Sequence, residues 1–165
     1  MASIIINVAV TPVGKSISNG VNFAFSPGVG TPTGVVSSDG KIDLGKDYPA
    51  GTAVTLAFQL TTTTIAFTAA PSIGTFPLSF FAGTNGAKDA CWIALYGQTP
   101  GIYNGSEFTF GPNALGSGNG SLSIGDNNDD GNQYAYALWV IVAIPNSPGQ
   151  KFKDDPRIIN HTTNR

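Results

Sequence analysis

The sequence predicts an all-β protein, a two-sheet antiparallel β-sandwich of the immunoglobulin-like or jelly-roll kind. Two observations lead to this fold class: apolar residues alternate with other residues in several short segments, and turn-forming pairs such as Asp39-Gly40 separate those segments. No window combines helix caps with apolar residues at a period of 3.6. Short strands joined by short links are typical of a sandwich.

Alternation with a period of two places every second side chain on one face of a sheet. The alternating apolar positions are Ile4, Ile6, Val8 and Val10; Val21, Phe23 and Phe25; Val54, Leu56, Phe58 and Leu60; Trp92, Ala94 and Tyr96; Phe108 and Phe110; and Tyr134, Tyr136, Leu138, Val140, Val142 and Ile144. We predict one sandwich domain over residues 1–150. Residues 151–165 form a charged C-terminal tail or a final edge strand.

The segment from Tyr134 to Ile144 is apolar on both faces. The set opposite the tyrosines consists of Ala135, Ala137, Trp139, Ile141 and Ala143. Such a strand needs cover on both sides, from an overlying loop or from a neighbouring subunit.

The composition argues against an enzyme. Only 11% of the 165 residues are charged, and the chain has one His and one Cys, whereas about 25% charged residues is usual. Cys91 lies in an apolar segment and is predicted to be a core residue. His161 has no second His or Cys with which to bind zinc. The sequence pI of about 5.0 argues against a nucleic-acid partner.

The chain opens on an alternating segment without a basic region, so we expect it to be a strand and not a secretory signal. The longest apolar run, Tyr134 to Ile144, is shorter than the roughly 20 residues that a membrane-spanning helix needs. We therefore expect no membrane span and a cytoplasmic location, with non-classical release as the alternative.

The scarcity of lysine favours self-association. Natural sheets protect their edges with charges, above all with Lys. The predicted domain has only Lys15, Lys41, Lys46 and Lys88 for this purpose. A small net charge also weakens repulsion between copies. We therefore expect a structural protein that forms an ordered homo-oligomer, filament or inclusion; a monomer with an uncharged polar surface is the alternative.

One segment has the spacing of a calcium loop. Asp126, Asn128 and Asp130 occupy its positions 1, 3 and 5, Gly131 provides the turn, and Asn132 could offer its carbonyl at position 7. Ala137 stands where an EF-hand has Glu, so further ligands would have to come from another loop, with Asp89 and Glu107 as candidates. A polar turn between strands is the alternative interpretation.

A second class of function uses the same loop. Carbohydrate-binding surfaces combine polar groups with exposed rings, and Trp92, Tyr96 and Tyr103 are the aromatic candidates. The alternative to a structural protein is therefore a calcium-assisted, lectin-like module.

The C-terminal third carries a family resemblance. Ser-Ile-Gly-Asp126-Asn-Asn-Asp-Asp-Gly131, then Tyr134-Ala-Tyr136-Ala-Leu-Trp-Val, and finally Asp155-Pro-Arg-Ile-Ile-Asn160 resemble the ending of bacterial inclusion-body proteins of the AidA/PixA type. This resemblance implies a small, non-enzymatic β-sandwich that accumulates in cells, and it assigns no functional residue.

Overall fold

The computed structural model describes residues 1–45 and 47–160 and confirms an all-β fold of two sheets. His161 lies outside the described residues. The helical segments are a short helix, α1 (Ala87–Ala90), and 3₁₀ turns at Ile17–Asn19 and Ser117–Asn119. In the described part of the chain, no helix has the length and apolar character needed to cross a membrane.

The first sheet has five strands. They are β1 (Ala2–Pro12), β2 (Val21–Pro27), β4 (Val54–Leu60), β8 (Phe108–Thr109) and β9 (Ser121–Asp126), in the order β2-β1-β4-β9-β8. Neighbouring strands are antiparallel except for β1 and β4, which run parallel with Ile4 opposite Leu56.

The second sheet has seven strands built around a long central one, β10 (Gln133–Val142). The others are β3 (Ile42–Asp43), β5 (Thr64–Phe67), β6 (Gly74–Phe80), β7 (Cys91–Leu95), β11 (Gln150–Asp154) and β12 (Arg157–Ile159). One side of β10 pairs with β12 and β11, and its other side pairs with β7 and β6. The pair β3 and β12 is parallel. Each sheet therefore contains one parallel pair, which the sequence did not predict.

The core lies between the two sheets and contains the predicted alternating residues. Phe58 of β4 packs against Tyr136 of β10, with ring centroids 5.6 Å apart. The buried Tyr136 hydroxyl donates a 2.6 Å hydrogen bond to the carbonyl of Gly40. Cys91 is fully buried, as predicted, and burial raises the pKa of its thiol well above the usual range.

The outward-facing apolar side of β10 is covered by side chains of its own sheet. Trp139 packs against Trp92 of β7, with ring centroids 4.9 Å apart. Lys151 and Lys153 of β11 place their ammonium groups 5.9 and 5.8 Å from the Trp139 ring. Because long lysine stems can cover apolar surface while the charge stays in water, these residues leave Trp139 only half exposed.

Candidate functional site

Four polar side chains meet at one end of the sandwich. Asp126 ends β9 of the five-stranded sheet, and Glu107 directly precedes β8 of the same sheet. Asp130 lies in the loop that leads into β10, and Asn160 follows β12 in the seven-stranded sheet. Asp126 and Asn160 are each only 1% exposed, and Glu107 is also buried, whereas Asp130 stands at the exposed rim. We call these four residues the carboxylate cluster.

The side-chain amide of Asn160 stands where the three carboxylates converge. Its nitrogen donates to Glu107 Oε1 at 2.7 Å, to Asp126 Oδ1 at 3.2 Å and to Asp130 Oδ1 at 3.4 Å. Backbone amides add two donors, from residue 129 to Glu107 Oε1 at 3.2 Å and from residue 128 to Asp126 Oδ1 at 2.8 Å. One neutral amide thus connects both sheets to the acidic loop.

Two atoms of the carboxylate cluster are buried without a hydrogen-bond partner: Asp126 Oδ2 and Asn160 Oδ1. Buried polar atoms usually have partners, because losing water without a replacement costs about 1–3 kcal/mol. The ion pairs in the described chain, Lys41–Asp43 and Lys153–Asp155, do not include the cluster. The cluster is therefore bound by hydrogen-bond donors and not by a cationic side chain of the described chain.

Burial changes the acidity of these groups. It raises the pKa of Glu107 to about 8, and the neighbouring Asp126 carboxyl acts in the same direction. Burial also raises the pKa of Asp126 to about 6, against the hydrogen bond from the backbone of Asn128. Burial acts to raise the pKa of Asp130 as well. Hydrogen bonds from Tyr134 and Asn132 outweigh this effect and hold the pKa below its usual value.

The structure separates the predicted calcium-loop residues into two groups. Asp126 and Asp130 lie in the carboxylate cluster, whereas the Asn128 amide nitrogen donates to the carbonyls of Tyr48 and Pro49, at 3.4 and 3.3 Å. Asn132 is exposed and donates to Asp130 through its backbone and side-chain nitrogens, at 2.9 and 3.0 Å.

Of the two further candidates, Glu107 joins the carboxylate cluster. Asp89 instead accepts a 2.8 Å hydrogen bond from the backbone of Asn85. In the described chain, no three His, Cys, Asp or Glu side chains stand ready to hold a metal ion. Asn160 was not predicted, because a neutral residue near the chain end gives no sequence signal for a site.

The three aromatic candidates lie in different surroundings. Tyr103 is buried against Phe108 and accepts a 2.9 Å hydrogen bond from the backbone of Glu107. Trp92 is half-buried in its pair with Trp139. Tyr96 is 59% exposed. It lines a surface depression of about 420 Å³, together with Asp39, Lys41, Ala135, Asp155, Pro156 and Arg157.

The outer face of the five-stranded sheet carries no charged side chain, and we call it the charge-free face. It is formed by Asn22, Ala24 and Ser26 of β2; Ser3, Ile5, Asn7, Ala9 and Thr11 of β1; Thr55, Ala57 and Gln59 of β4; Ser121, Ser123 and Gly125 of β9; and Thr109 of β8. Most of these side chains are small, so the face is flat and has no charged group that would have to lose its water.

Two features of opposite shape lie on either side of this face. Towards β2, Gly28 sits directly on the Ile5 side chain, and the next residue, Val29, is 93% exposed. Towards β8, a depression of about 400 Å³ is lined mostly by small or uncharged residues, which include Thr55, Pro112 and Ser123, and also by Asp126 of the carboxylate cluster. One side of the charge-free face therefore carries an apolar projection and the other side a hollow.

No protein-family model matches the chain, and no curated protein has a significant match to it. The carboxylate cluster, the charge-free face and the depression beside Tyr96 are therefore the features from which a function can be inferred.

Proposed function

We propose that this protein is a non-catalytic structural β-sandwich that associates with copies of itself through the charge-free face. The observation that carries this proposal is the absence of charge on the outward side of five paired strands in the described chain. Burying small uncharged side chains costs far less than burying Lys or Asp without a partner. A second copy of the same face presents the same neutral surface, so two copies can pack together without repulsion.

A two-fold arrangement uses the projection and the hollow. In an isologous dimer, a group that lies away from the two-fold axis meets a different group of the other copy. A two-fold axis near Ala57, in the central strand β4, would bring the exposed Val29 of each copy towards the hollow near Ser123 of its partner. This arrangement would remove a fully exposed apolar side chain from water in both copies.

The size of the charge-free face sets the expected affinity. Five strands span about 19 Å, and the outward residues of β1 extend for about 26 Å from Ser3 to Thr11, which gives roughly 500 Å² in projection. A standard interface buries about 800 Å² on each partner. We therefore expect association that depends on concentration, as suits a protein that acts when it accumulates.

Growth beyond a dimer requires a second contact, and the edge strand β2 offers one. The backbone amide of Phe25 donates outward to the carbonyl of Ser38 at 3.2 Å. Since strand residues alternate, the amides of Val21 and Phe23 point the same way. Residues 16–38 contain no charged side chain, so charge does not protect this edge.

A structural role also fits the position of the reactive groups. Glu107 and Asp126 have raised pKa values, as catalytic acids often do, but each side chain is less than a tenth exposed, although Asp126 belongs to the lining of the hollow beside β8. The Cys91 thiol is likewise buried. The resemblance of the C-terminal third to inclusion-body proteins supports the same conclusion.

Sedimentation velocity over a range of protein concentrations tests this proposal. We expect dimers or larger species in the wild type and at least a tenfold weaker association in Ala57→Lys, because the new charge would be desolvated in the contact. Ala94→Lys is the matched control, since Ala94 is a half-buried Ala on the outer face of the other sheet. A wild-type monomer at high concentration, or equal effects of the two substitutions, would overturn the proposal.

Carbohydrate binding is the second candidate function, and the depression beside Tyr96 favours it. An exposed ring is combined there with Arg157, whose guanidinium carbon lies 5.4 Å from the ring centroid, and with the carboxylates of Asp39 and Asp155. A glycan array in calcium and in chelator tests this function. Binding that Tyr96→Ala abolishes, but that Val13→Ala at another exposed position preserves, would establish it; no binding in either condition would exclude it.

A further inference from the structure

We infer that the outer face of the seven-stranded sheet binds a linear polysaccharide of sugar acids, a proposal that rests on carbohydrate binding as the function of the depression beside Tyr96. This face carries the rings of Phe81, Trp92, Tyr96 and Trp139, and we call it the aromatic face. The charge-free face belongs to the other sheet, so the two surfaces can act independently.

Three cationic side chains form a row on the aromatic face. β11 and β12 pair with the same side of β10 and bring Lys151, Lys153 and Arg157 to positions opposite residues 141, 139 and 135 of that strand. Residues 135 and 141 are six positions apart, so the row is about 20 Å long. Charges at such intervals cannot converge on one small anion, but they match a polymer that carries an anionic group on each unit.

Two of the three cations are not neutralised by a neighbouring acid. Lys153 pairs with Asp155 at 3.1 Å, whereas Lys151 and Arg157 make no ion pair with any described residue. Asp39, which lines the depression beside Tyr96, already accepts hydrogen bonds within its own turn. The aromatic face therefore has positive charge available for an anionic ligand, although the net charge of the chain is −2.

The aromatic rings run alongside this row. The backbone amide of Phe81 donates to the carbonyl of Trp139 at 3.0 Å, and Trp92 lies opposite residue 137 of β10. Further along, the backbone amide of Tyr96 donates to the carbonyl of Gln133 at 2.9 Å. The rings therefore follow β10 from residue 139 to residue 133, over about 20 Å.

A cation stands beside a ring at both ends of the row. Lys151 Nζ lies 4.5 Å from the centroid of Phe81, and the guanidinium carbon of Arg157 lies 5.4 Å from the centroid of Tyr96. A sugar acid presents an apolar C–H face to an aromatic ring, while its carboxylate projects from the edge of the sugar. Arg binds such a carboxylate through two parallel hydrogen bonds. Each end of the row can therefore hold one acidic sugar.

Other anionic partners fit the aromatic face less well. Binding to a nucleic-acid backbone depends on many Lys and Arg contacts, and the row has only three. A membrane surface takes up apolar side chains that project into it, but among the four rings only Tyr96 is more than half exposed. Half-buried rings beside cations favour a ligand that lies along the surface.

Two polymers with the same sugar backbone test the ligand class. Polygalacturonate carries a carboxylate on each unit, and its fully methyl-esterified form carries none. Calorimetric titration of the full chain, at a concentration where it is monomeric, compares the two. We expect polygalacturonate to bind at least tenfold more tightly than the ester, because only the acid can pair with Lys151 and Arg157. Added salt should weaken this binding.

Matched substitutions locate the binding surface. Arg157→Gln should weaken polygalacturonate binding about tenfold, and Lys151→Gln about threefold. Lys15→Gln is the control, since it removes the same charge from an exposed loop after β1, and it should change the affinity less than about twofold. Thermal unfolding checks that the variants fold. Equal weakening by Arg157→Gln and Lys15→Gln would overturn the inference, because the polymer would then respond to total charge.

Poly-L-glutamate separates the sugar from its charge, and we expect it to bind at least tenfold more weakly than polygalacturonate. Equal binding of these two polymers would overturn the inference. If the methyl ester binds as well as the acid, or if neutral glycans bind and polygalacturonate does not, the acidic class is wrong while carbohydrate binding remains. If no glycan of any kind binds, carbohydrate binding itself is overturned.

Discussion

The outer faces of the two sheets are built from different side chains. The five-stranded sheet presents small uncharged residues. The seven-stranded sheet presents the pair of Trp92 and Trp139, and Lys151 and Lys153 of β11 lie over the Trp139 ring. Arg157 lies beside Tyr96 on that same side of the molecule. Several of the few cationic side chains of the protein therefore cover large aromatic rings that would otherwise be exposed to water. The charge-free face has none of them.

Because of this contrast, we do not expect a low total charge to make every part of the surface equally able to self-associate. An aromatic face covered by lysine stems is apolar underneath and charged outside, so it resists packing against a copy of itself. A face of Ser, Ala, Thr and Gly has no such barrier. Self-association should therefore be specific for one face, and the following substitutions test that difference.

The largest effect is expected from removing the central ring of the aromatic face. Trp139→Ala should destabilise the fold by about 2–3 kcal/mol, because it leaves Trp92 without its partner ring. Asn7→Ala on the charge-free face is the control and should cost less than about 0.5 kcal/mol. Urea unfolding gives both values. Equal losses would show that the two faces do not differ in their contribution to stability.

A smaller effect is expected at the apolar projection. Val29→Asp should weaken self-association about tenfold, which corresponds to about 1.4 kcal/mol, since the two-fold arrangement buries this side chain. Its high exposure in the single chain means that the midpoint of unfolding should not move at concentrations where the protein is monomeric. Sedimentation velocity and urea unfolding of the same sample check both statements; unchanged association would remove Val29 from the contact.

The smallest effect is expected when the lysines of β11 are replaced. The double variant Lys151→Ser, Lys153→Ser removes three cation–π contacts, one with Phe81 and two with Trp139, each worth about 0.5–1 kcal/mol at an exposed site. It also exposes Trp139 without charge, so we expect association to increase by about threefold. Light scattering against concentration measures this change, and no increase would mean that the lysines do not restrain this face.

The alternating pattern was sufficient to predict the main strands and the core. β1, β4 and β10 follow it closely, because every second residue must leave water. The pattern does not encode which strands are neighbours. The parallel pairing of β1 with β4 joins segments about fifty residues apart, with Ile4 opposite Leu56, and no local signal marks such a partner.

The candidate site was predictable only in part, for a similar reason. Asp126 and Asp130 stood out because acidic residues are rare in this chain, and Glu107 is its only Glu. Spacing alone could not show that Asn128 turns towards residues 48–52, where its amide finds three carbonyls. Nor could it bring Asn160 to the centre of the cluster, since that position depends on how β12 pairs with β10.

The position of β12 also has a consequence for synthesis on the ribosome. The five strands of the first sheet are complete once Asp126 has been made, whereas β3, near residue 42, finds its parallel partner only in residues 157–159. The nascent chain can therefore form one sheet early but must keep the other open until residues 157–159 emerge. Slowing translation after residue 126 would lengthen the time for which the five-stranded sheet is complete while the seven-stranded sheet is not.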